Sequence, residues 1–220
     1  MKRKVLVIDV GGTHVKVLAT GKRKHLERDS GPAFTPRQMV AVVKELTPDW
    51  KYDVVSIGYP GPARHGRPSA EPWNLGRGWV RFDYSRAFRK PVHLVNDAAM
   101  QALGSYEGGG RMLFIGLGTG MGSALVLGGK LQPTELAHLP FKHGKTFEDY
   151  VGRRGLEWLG HHRWHKAVHE VVGILAAALQ VDYVVLGGGN ARLVKKLPKL
   201  TRRGNNDNAF RGGFRLCEKK

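Results

Sequence analysis

Apolar residues along the chain fall into short runs, and several of these runs end in glycine. Val5–Val10 and Met112–Leu117 are almost wholly apolar, and each leads through glycines into a second apolar segment, at 13–19 and 123–127. Short apolar runs bounded by glycine predict β-strands joined by tight turns. Because the pattern occurs once in each half, the sequence predicts a duplicated α/β architecture with a cleft between the halves.

The remaining periodicities fill in this outline. Apolar residues at helical spacing predict helices at 37–46, 98–106, 163–180 and 191–197, and short apolar runs predict strands at 54–57, 92–95 and 183–186. Residues 62–79 are rich in Gly, Pro and Arg and are expected to be irregular. We expect an N-terminal α/β domain at 1–98 and a C-terminal one at 99–220, with the tail from about 205 packing back on the first.

Composition narrows the class of protein. The chain has 220 residues, 41% of them hydrophobic, and a single cysteine, Cys217, which excludes an intramolecular disulfide and a cysteine zinc cage. No stretch approaches the roughly 18 apolar residues of a membrane helix. The first apolar run contains Asp9 and turns at Gly11, so it predicts a strand rather than a signal peptide. We therefore expect a cytoplasmic protein with no membrane partner.

The charge is strongly positive. The sequence has 36 Lys and Arg against 18 Asp and Glu, a formal net charge of +18. Such an excess attracts polyanions such as nucleic acid, a membrane surface or polyphosphate. The alternative is a soluble protein with a lysine-rich face, since charge bears on association and not on fold.

Three glycine clusters follow apolar strands, which favours phosphate binding. Glycine lets the backbone turn tightly and bring its N–H groups close to an anion, and nearby hydroxyls and ammonium groups hydrogen-bond phosphate oxygens. The Walker-type phosphate loop is absent, so this is not a P-loop enzyme by that signature. The candidate phosphate-binding residues are Gly11, Gly12, Thr13, Lys16, Gly118, Thr119 and Gly120. Gly188, Gly189 and Asn190 of the third cluster are further candidates for binding the cofactor.

Several polar residues are candidates for metal binding, catalysis or substrate binding. Asp9 precedes the first glycine turn, where a carboxylate would repel phosphate unless Mg²⁺ lies between them; the alternative is an ordinary turn residue. Asn96 and Asp97 end a strand before a helix, where they suit helix capping, catalysis or both. Glu135 and His138, three residues apart, would face one way on a helical turn and could grip vicinal hydroxyls, or form a surface pair.

Histidines also cluster near the end of the chain. His161, His165 and His169 share helical spacing, with His162 beside them. The cluster has the residue type of a metal site, but its basic neighbours Arg163 and Lys166 favour a solvated polar face, and we do not predict a metal there. His14, inside the first glycine motif, has no assigned role beyond a possible phosphate contact.

Taken in order, these motifs resemble the ROK family (repressor, open reading frame, kinase), which has the actin-like ATPase fold. The matching segments are Asp9–Lys16, Gly58–Gly61, Asn96–Ala98, Leu117–Gly122, Glu135–His138 and Leu186–Asn190, in the order expected of that family. Ala137 replaces the usual glycine of the sugar-binding motif. Within the family, Phe147–Gly152 is most similar to the polyphosphate glucokinases, which lack the family's cysteine-rich zinc motif, as this chain does.

The resemblance implies a fold, an activity and a site. It implies two ribonuclease H-like domains of the actin and hexokinase type flanking a cleft, Mg²⁺ near Asp9 through water, and polyphosphate or ATP at the glycine clusters, but no zinc. It also implies a homodimer and a phosphotransferase acting on the 6-hydroxyl of glucose, or of mannose, with Asp97 as general base. The residues implied to bind the hexose are Gly61, Asn96, Asp97, Glu135, His138 and Glu148.

Two further hypotheses come from the charge and the family. Polyphosphate would need a basic track, for which the candidates are Lys142, His143, Lys145, Arg153, Arg154, Arg163, Lys166, Lys195, Lys196, Lys199, Arg202 and Arg203. The alternative functions are a sugar-responsive regulator and an inactive sugar sensor. The regulators carry a DNA-binding domain before the first phosphate motif, which here starts at Asp9, so nucleic acid is not the expected partner. Asp97 argues against the sensor.

Overall fold

The computed structural model describes residues 3–205 and 207–218 and divides the chain into two compact units. One unit comprises Met1–Met100 with Ala209–Lys220, and the other comprises Gln101–Asn208. Each contains one five-stranded sheet. None of the helices in the described part of the chain combines the length and hydrophobicity that a bilayer span requires.

The sheet of the first unit has the order β3-β2-β1-β4-β7. β1 pairs antiparallel with β2, which pairs antiparallel with β3, whereas β4 lies parallel to β1 and β7 parallel to β4. A two-stranded hairpin, β5–β6, lies outside this sheet. The strands are β1 (Val5–Val10), β2 (His14–Ala19), β3 (Leu26–Asp29), β4 (Val54–Tyr59), β5 (Ala63–Arg64), β6 (Arg67–Pro68) and β7 (Val92–Asn96).

Helices cover both faces of this sheet. α1 begins with a capping box, in which the side chain of Thr35 and that of Gln38 each accept from the other's backbone N–H. Its apolar side, with Met39 and Val43, packs on one face of the sheet, and α6 brings Phe210 onto the other. The helices are α1 (Pro36–Leu46), α2 (Tyr84–Phe88), α3 (Asp97–Ser105), which continues into the second unit, and α6 (Asn208–Leu216).

The second unit repeats the strand order, as β10-β9-β8-β11-β12. The long helix α5 changes direction at Gly160, whose φ is 71°, and its buried face packs with β8 and β11 in one core. Two 3₁₀ turns, Leu136–His138 and Gly189–Leu193, follow β10 and β11. The elements are β8 (Arg111–Leu117), β9 (Met121–Leu127), β10 (Lys130–Thr134), α4 (Phe147–Val151), α5 (Arg153–Ala178), β11 (Tyr183–Gly187) and β12 (Thr201–Arg203).

The structure confirms the predicted duplicated α/β fold, and two of the predicted segments differ from the observed elements. The helix predicted at 191–197 is wrong: a 3₁₀ turn occupies Gly189–Leu193 instead. Residues 62–79 are not wholly irregular, because the β5–β6 hairpin lies within them.

Candidate active site

The first glycine turn joins β1 to β2 and is held by hydrogen bonds on both sides. The N–H of Gly11 donates to the carbonyl of His14 at 2.9 Å, and the Ser30 hydroxyl donates to the Gly11 carbonyl at 2.7 Å. A Cβ on Gly12 would overlap the side-chain amide of Asn74. Glycine at position 12 therefore lets the side chain of Asn74 lie against this turn. Asn74 was not predicted, because no local pattern marks a contact across 62 positions.

Asp9 lies near the end of β1, with Lys16 opposite it on β2 and Gly58 beside it on β4. Burial raises the pKa of the Asp9 carboxyl to about 6, against the lowering effects of the Lys16 and His25 charges. Removal from water disfavours the carboxylate. A bound cation would restore the charged form, so this is a carboxylate whose surroundings suit a positively charged ligand.

The donor set is compatible with Mg²⁺. Mg²⁺ in phosphotransferases keeps several waters and binds through one or two carboxylates together with substrate phosphates. Asp9 supplies one carboxylate next to the first glycine turn. Among residues 3–205 and 207–218, no three His, Cys, Asp or Glu side chains form a ready-made metal cage, and a phosphate-bridged Mg²⁺ does not need one.

Asn96 and Asp97 connect β7 to α3. The side-chain amide of Asn96 donates to the carbonyl of Gly61 at 3.0 Å, and its oxygen accepts the N–H of Ala98 at 2.9 Å. Oδ1 of Asp97 also accepts the Ala98 N–H, at 2.8 Å. These bonds hold Asp97 at the helix start and tie it to the Gly58–Gly61 loop. Capping and a chemical role are therefore compatible at this position.

Lys16 and His14 both contact acidic side chains of the neighbouring strand β3. Nζ of Lys16 lies 3.8 Å from a carboxylate oxygen of Glu27, and Nε2 of His14 lies 3.3 Å from Asp29. Nδ1 of His14 also lies 3.0 Å from the Thr13 hydroxyl. Both side chains thus have protein partners, and the predicted phosphate contact of Lys16 would compete with Glu27.

In the second unit, Glu148 holds the turn between β8 and β9. Its Oε2 accepts the N–H of Met121 at 2.9 Å, and a Cβ on Gly120 would overlap the same carboxylate. The N–H of Gly118 donates to the Gly120 carbonyl at 3.0 Å, and the Thr119 carbonyl accepts the N–H of Arg153 at 3.1 Å. The second glycine turn is therefore braced by α4 and by the start of α5.

The third glycine cluster packs on the second. The side-chain amide of Asn190 donates to the carbonyl of Gly118 at 3.2 Å. Gly188 has a φ of 78°, and a Cβ there would overlap the carbonyl of Leu117. The structure thus brings together the predicted residues Gly118, Thr119, Gly120, Gly188, Gly189 and Asn190.

Glu135 and His138 flank the 3₁₀ turn that follows β10. The Ser123 hydroxyl fixes the start of this turn by accepting the N–H of Leu136 at 3.1 Å. Glu135 caps the start of the turn in a non-helical conformation, and His138 is its last residue. Both are exposed, and Ala137 between them is buried.

The histidines of α5 have a structural contact. The Nε2 atoms of His165 and His169 lie 3.0 and 2.8 Å from the carbonyl of Lys196. This shared acceptor ties the helix to the segment after the third glycine cluster. The pair therefore serves packing.

Comparison with known proteins gives the family of this chain and a curated relative. The family model described as "ROK family" matches residues 5–136. A polyphosphate glucokinase of Mycobacterium tuberculosis is 28% identical over 217 residues, covering 86% of this chain and 78% of that protein.

Solved structures show the same fold. The inorganic polyphosphate/ATP-glucomannokinase of Arthrobacter sp. strain KM superposes with a TM-score of 0.81 at 22% identity, covering 97% of both chains. A ROK family glucokinase of Streptomyces griseus, in complex with glucose and AMPPNP, superposes with a TM-score of 0.71 at 15% identity, covering 97% and 98%.

Two five-stranded units of like topology, each with a glycine turn after its first strand, define the actin-like and hexokinase-type fold of the sugar phosphotransferases. The chain belongs to the ROK family.

Proposed function

We propose that this protein transfers a phosphoryl group from polyphosphate, ATP or both to the 6-hydroxyl of glucose, with Asp97 as the general base. The observation that carries the proposal is the fixed position of Asp97. Its Oδ1 accepts the N–H of Ala98 at 2.8 Å, and the neighbouring Asn96 bonds both the Gly61 carbonyl and the head of α3, which supports a carboxylate that is oriented before substrate binds. Mannose, which differs from glucose at one hydroxyl, is a second possible acceptor.

The base acts at one atom. As the 6-oxygen attacks the terminal phosphorus, its proton passes to the Asp97 carboxylate, and the bond from phosphorus to the bridging oxygen of the donor breaks. Phosphoryl transfer depends on positioning and charge stabilisation more than on covalent chemistry. A positioned base contributes about 10²–10⁴-fold to such a reaction.

The remaining roles are assigned by resemblance and supported by position. Gly61, Asn96, Glu135, His138 and Glu148 would bind the hexose. Backbone N–H groups of the glycine turns would hold the donor phosphates, from Gly11, Gly12 and Thr13 in the first unit and from Gly118, Thr119 and Gly120 in the second. Each turn is braced by side chains, which supports a preorganised anion site.

Asp9 would hold Mg²⁺ through water. When bound, Mg²⁺ neutralises charge on the donor phosphates. The surroundings of Asp9 support this role, because burial disfavours its carboxylate in the absence of a cation.

Polyphosphate is proposed as a donor because of the charge. A net charge of +18 favours a long polyanion over a nucleotide, and polyphosphate appears in the names of both the mycobacterial relative and the Arthrobacter neighbour. Lys142, one of the candidate track residues, is already paired with Glu170 at 2.6 Å. The resemblance also implies a homodimer, which sedimentation would test.

The test measures formation of glucose 6-phosphate with Mg²⁺ and either ATP or long-chain polyphosphate. We expect transfer that is reduced at least about 10²-fold in Asp97→Asn. Asp49→Asn, at an exposed site in the same unit, is the matched control and should stay fully active. Absence of transfer to any hexose from either donor would refute the proposal.

Salt dependence separates the donors. If polyphosphate follows a basic track, its apparent affinity should fall steeply between about 50 and 200 mM salt, because bound counterions are released. A flat response would refute the track while leaving the kinase intact.

A further inference from the structure

A cavity of about 650 Å³ lies beside the edge strand β7 of the first unit. It is lined by residues 65–68 at the tip of the β5–β6 hairpin, by 80–85, by 92–95 of β7 and by Leu216. The proposed donor and hexose residues are absent from this lining. Its volume is that of a small-molecule site, which typically spans about 300–1,000 Å³.

The lining is rich in basic groups. His65, Arg67, Arg81 and His93 line the cavity. Asp83 is the one acidic residue among the lining residues that the structure describes, and its carboxylate accepts the N–H of Arg86 at 2.9 Å to cap α2. That carboxylate is therefore already committed to the backbone.

The segment around the cavity is positively charged and lacks ion pairs. Residues 61–91 contain seven Lys or Arg and only two acidic residues, Glu71 and Asp83. Glu71 accepts three backbone N–H groups, those of residues 78, 79 and 80, at 3.0 to 3.3 Å. In the part of the chain that the structure describes, the ion pairs include none of Arg64, Arg67 and Arg81.

The β5–β6 hairpin, which contributes to the cavity lining, has two features that lower its stability. Arg64 and Arg67 face each other directly across β5 and β6, and like charges in that position are destabilising. The turn between them has positive φ at both residues, 51° at His65 and 74° at Gly66; at the first of these, glycine or asparagine is usual. A bound anion would offset the repulsion between the arginines.

Part of the cavity lining is apolar. Phe82 and Tyr84 lie edge to face with ring centroids 5.0 Å apart, and Pro68 and Leu94 also line it. Arginine is well suited to phosphate because its planar fork donates two parallel hydrogen bonds. Basic groups together with apolar side chains in one lining suit an anionic head group attached to a carbon skeleton better than a bare ion.

We propose that this cavity is a second phosphate-binding site, distinct from the glycine turns, with Arg67 and Arg81 as its phosphate ligands. The phosphate group has two possible sources: a free phosphomonoester such as a hexose phosphate, or a distal part of a polyphosphate chain. The site is defined by binding and does not depend on turnover.

The experiment follows the side-chain NMR signals of His65 and His93 in histidine-labelled protein during titration with inorganic phosphate, glucose 6-phosphate and long-chain polyphosphate. We expect saturable shifts that weaken at least tenfold in Arg67→Ala/Arg81→Ala. The matched control is Arg23→Ala/Arg37→Ala, which removes two exposed arginines of the same unit away from the cavity lining and should change affinity less than twofold. Arg67→Gln/Arg81→Gln is the second test pair, should the alanine pair fail to fold.

The outcomes separate the two sources. Tighter binding of glucose 6-phosphate than of inorganic phosphate identifies a free ester. Binding of polyphosphate alone, with a raised KM for polyphosphate but not ATP in the test pair, identifies the donor chain. Equal weakening in the control pair, or shifts reproduced by chloride at equal ionic strength, would overturn the proposal, as would unchanged histidine signals with every ligand.

Discussion

The carboxylate of Glu148 accepts the backbone N–H of Met121 at 2.9 Å, although 27 residues separate the two. Glu148 lies in α4, and Met121 begins β9 directly after the second glycine turn. A residue proposed to bind the hexose therefore also holds the turn proposed to bind the donor. One carboxylate links the two proposed binding functions within the second unit.

This relationship predicts different effects of two hexose-site substitutions. Glu148→Ala leaves the Met121 N–H without its acceptor, at a cost of about 1–3 kcal/mol. We expect it to raise the KM for donor and hexose together, each about tenfold or more, and Glu148→Gln to be milder because an amide oxygen still accepts. His138→Ala should raise the hexose KM alone. An unchanged donor KM in Glu148→Ala would contradict this coupling.

In the third glycine cluster, we expect alanine substitution of two neighbouring glycines to have different effects on stability. Gly188 combines a φ of 78° with close approach to the Leu117 carbonyl, whereas a Cβ on Gly189 would meet no atom within 4 Å. Gly188→Ala should cost about 2 kcal/mol or more, lowering Tm by roughly 4–8 °C. Gly189→Ala should change stability by less than about 0.5 kcal/mol. Thermal unfolding of both variants checks this, and equal Tm values would show that the close approach is not required.

The raised pKa of Asp9 predicts that replacing this residue by Asn stabilises the protein in a pH-dependent way. Because burial raises its pKa to about 6 from 3.8, the folded state holds the proton more tightly than the unfolded state does. Wild-type stability is therefore lost as pH rises from about 4 to 6, and the loss persists above 6.

Asp9→Asn removes the loss of stability caused by the buried Asp9 carboxylate, and it should also abolish activity. In the presence of a chelator, its stability relative to wild type should be near zero at pH 4 and positive above pH 6, by up to about 3 kcal/mol at 1.36 kcal/mol per pKa unit. Denaturant unfolding at several pH values measures the difference. Asp49→Asn is the control, and a constant difference across pH would refute the explanation.

We expect alanine substitution at two helical glycines to have opposite effects on stability. A Cβ on Gly213 of α6 would overlap the side chain of Val7, whereas Gly173 of α5 is exposed with open space around it. Gly213→Ala should destabilise the protein by about 1–3 kcal/mol through overpacking. Gly173→Ala should stabilise it by about 0.5–1 kcal/mol, because alanine loses less backbone entropy in a helix. Denaturant midpoints compare the two, and a neutral Gly213→Ala would contradict the close packing of α6.

Much of the fold was predictable because its signals are local. Apolar runs ending in glycine predicted β1, β2, β8 and β9, and their repetition predicted two units of one topology. β3 was missed because all four of its residues are exposed, so it forms through pairing with β2 and not through burial. α6 was missed because Gly212 and Gly213, both buried, interrupt its apolar pattern.

The candidate site was predictable to a smaller extent. The glycine motifs and Asn96–Asp97 carry local signals, and the resemblance ordered them. The contacts that brace them, Asn74 against Gly12 and Glu148 on Met121, join distant residues and leave no trace in spacing. The helix predicted at 191–197 was wrong because Asn190 is tied to Gly118, and the turn that starts at Gly189 ends by Val194.

The return of α6 to the first unit has a consequence for synthesis of the chain. The second unit is one uninterrupted segment, Gln101–Asn208, whereas the first is built from both sides of it. As the polypeptide leaves the ribosome, the second unit is complete while the underside of the first sheet still lacks Phe210 and Gly213. The strand that carries Asp9 is therefore made early, but it is covered only when residues 209–217 emerge.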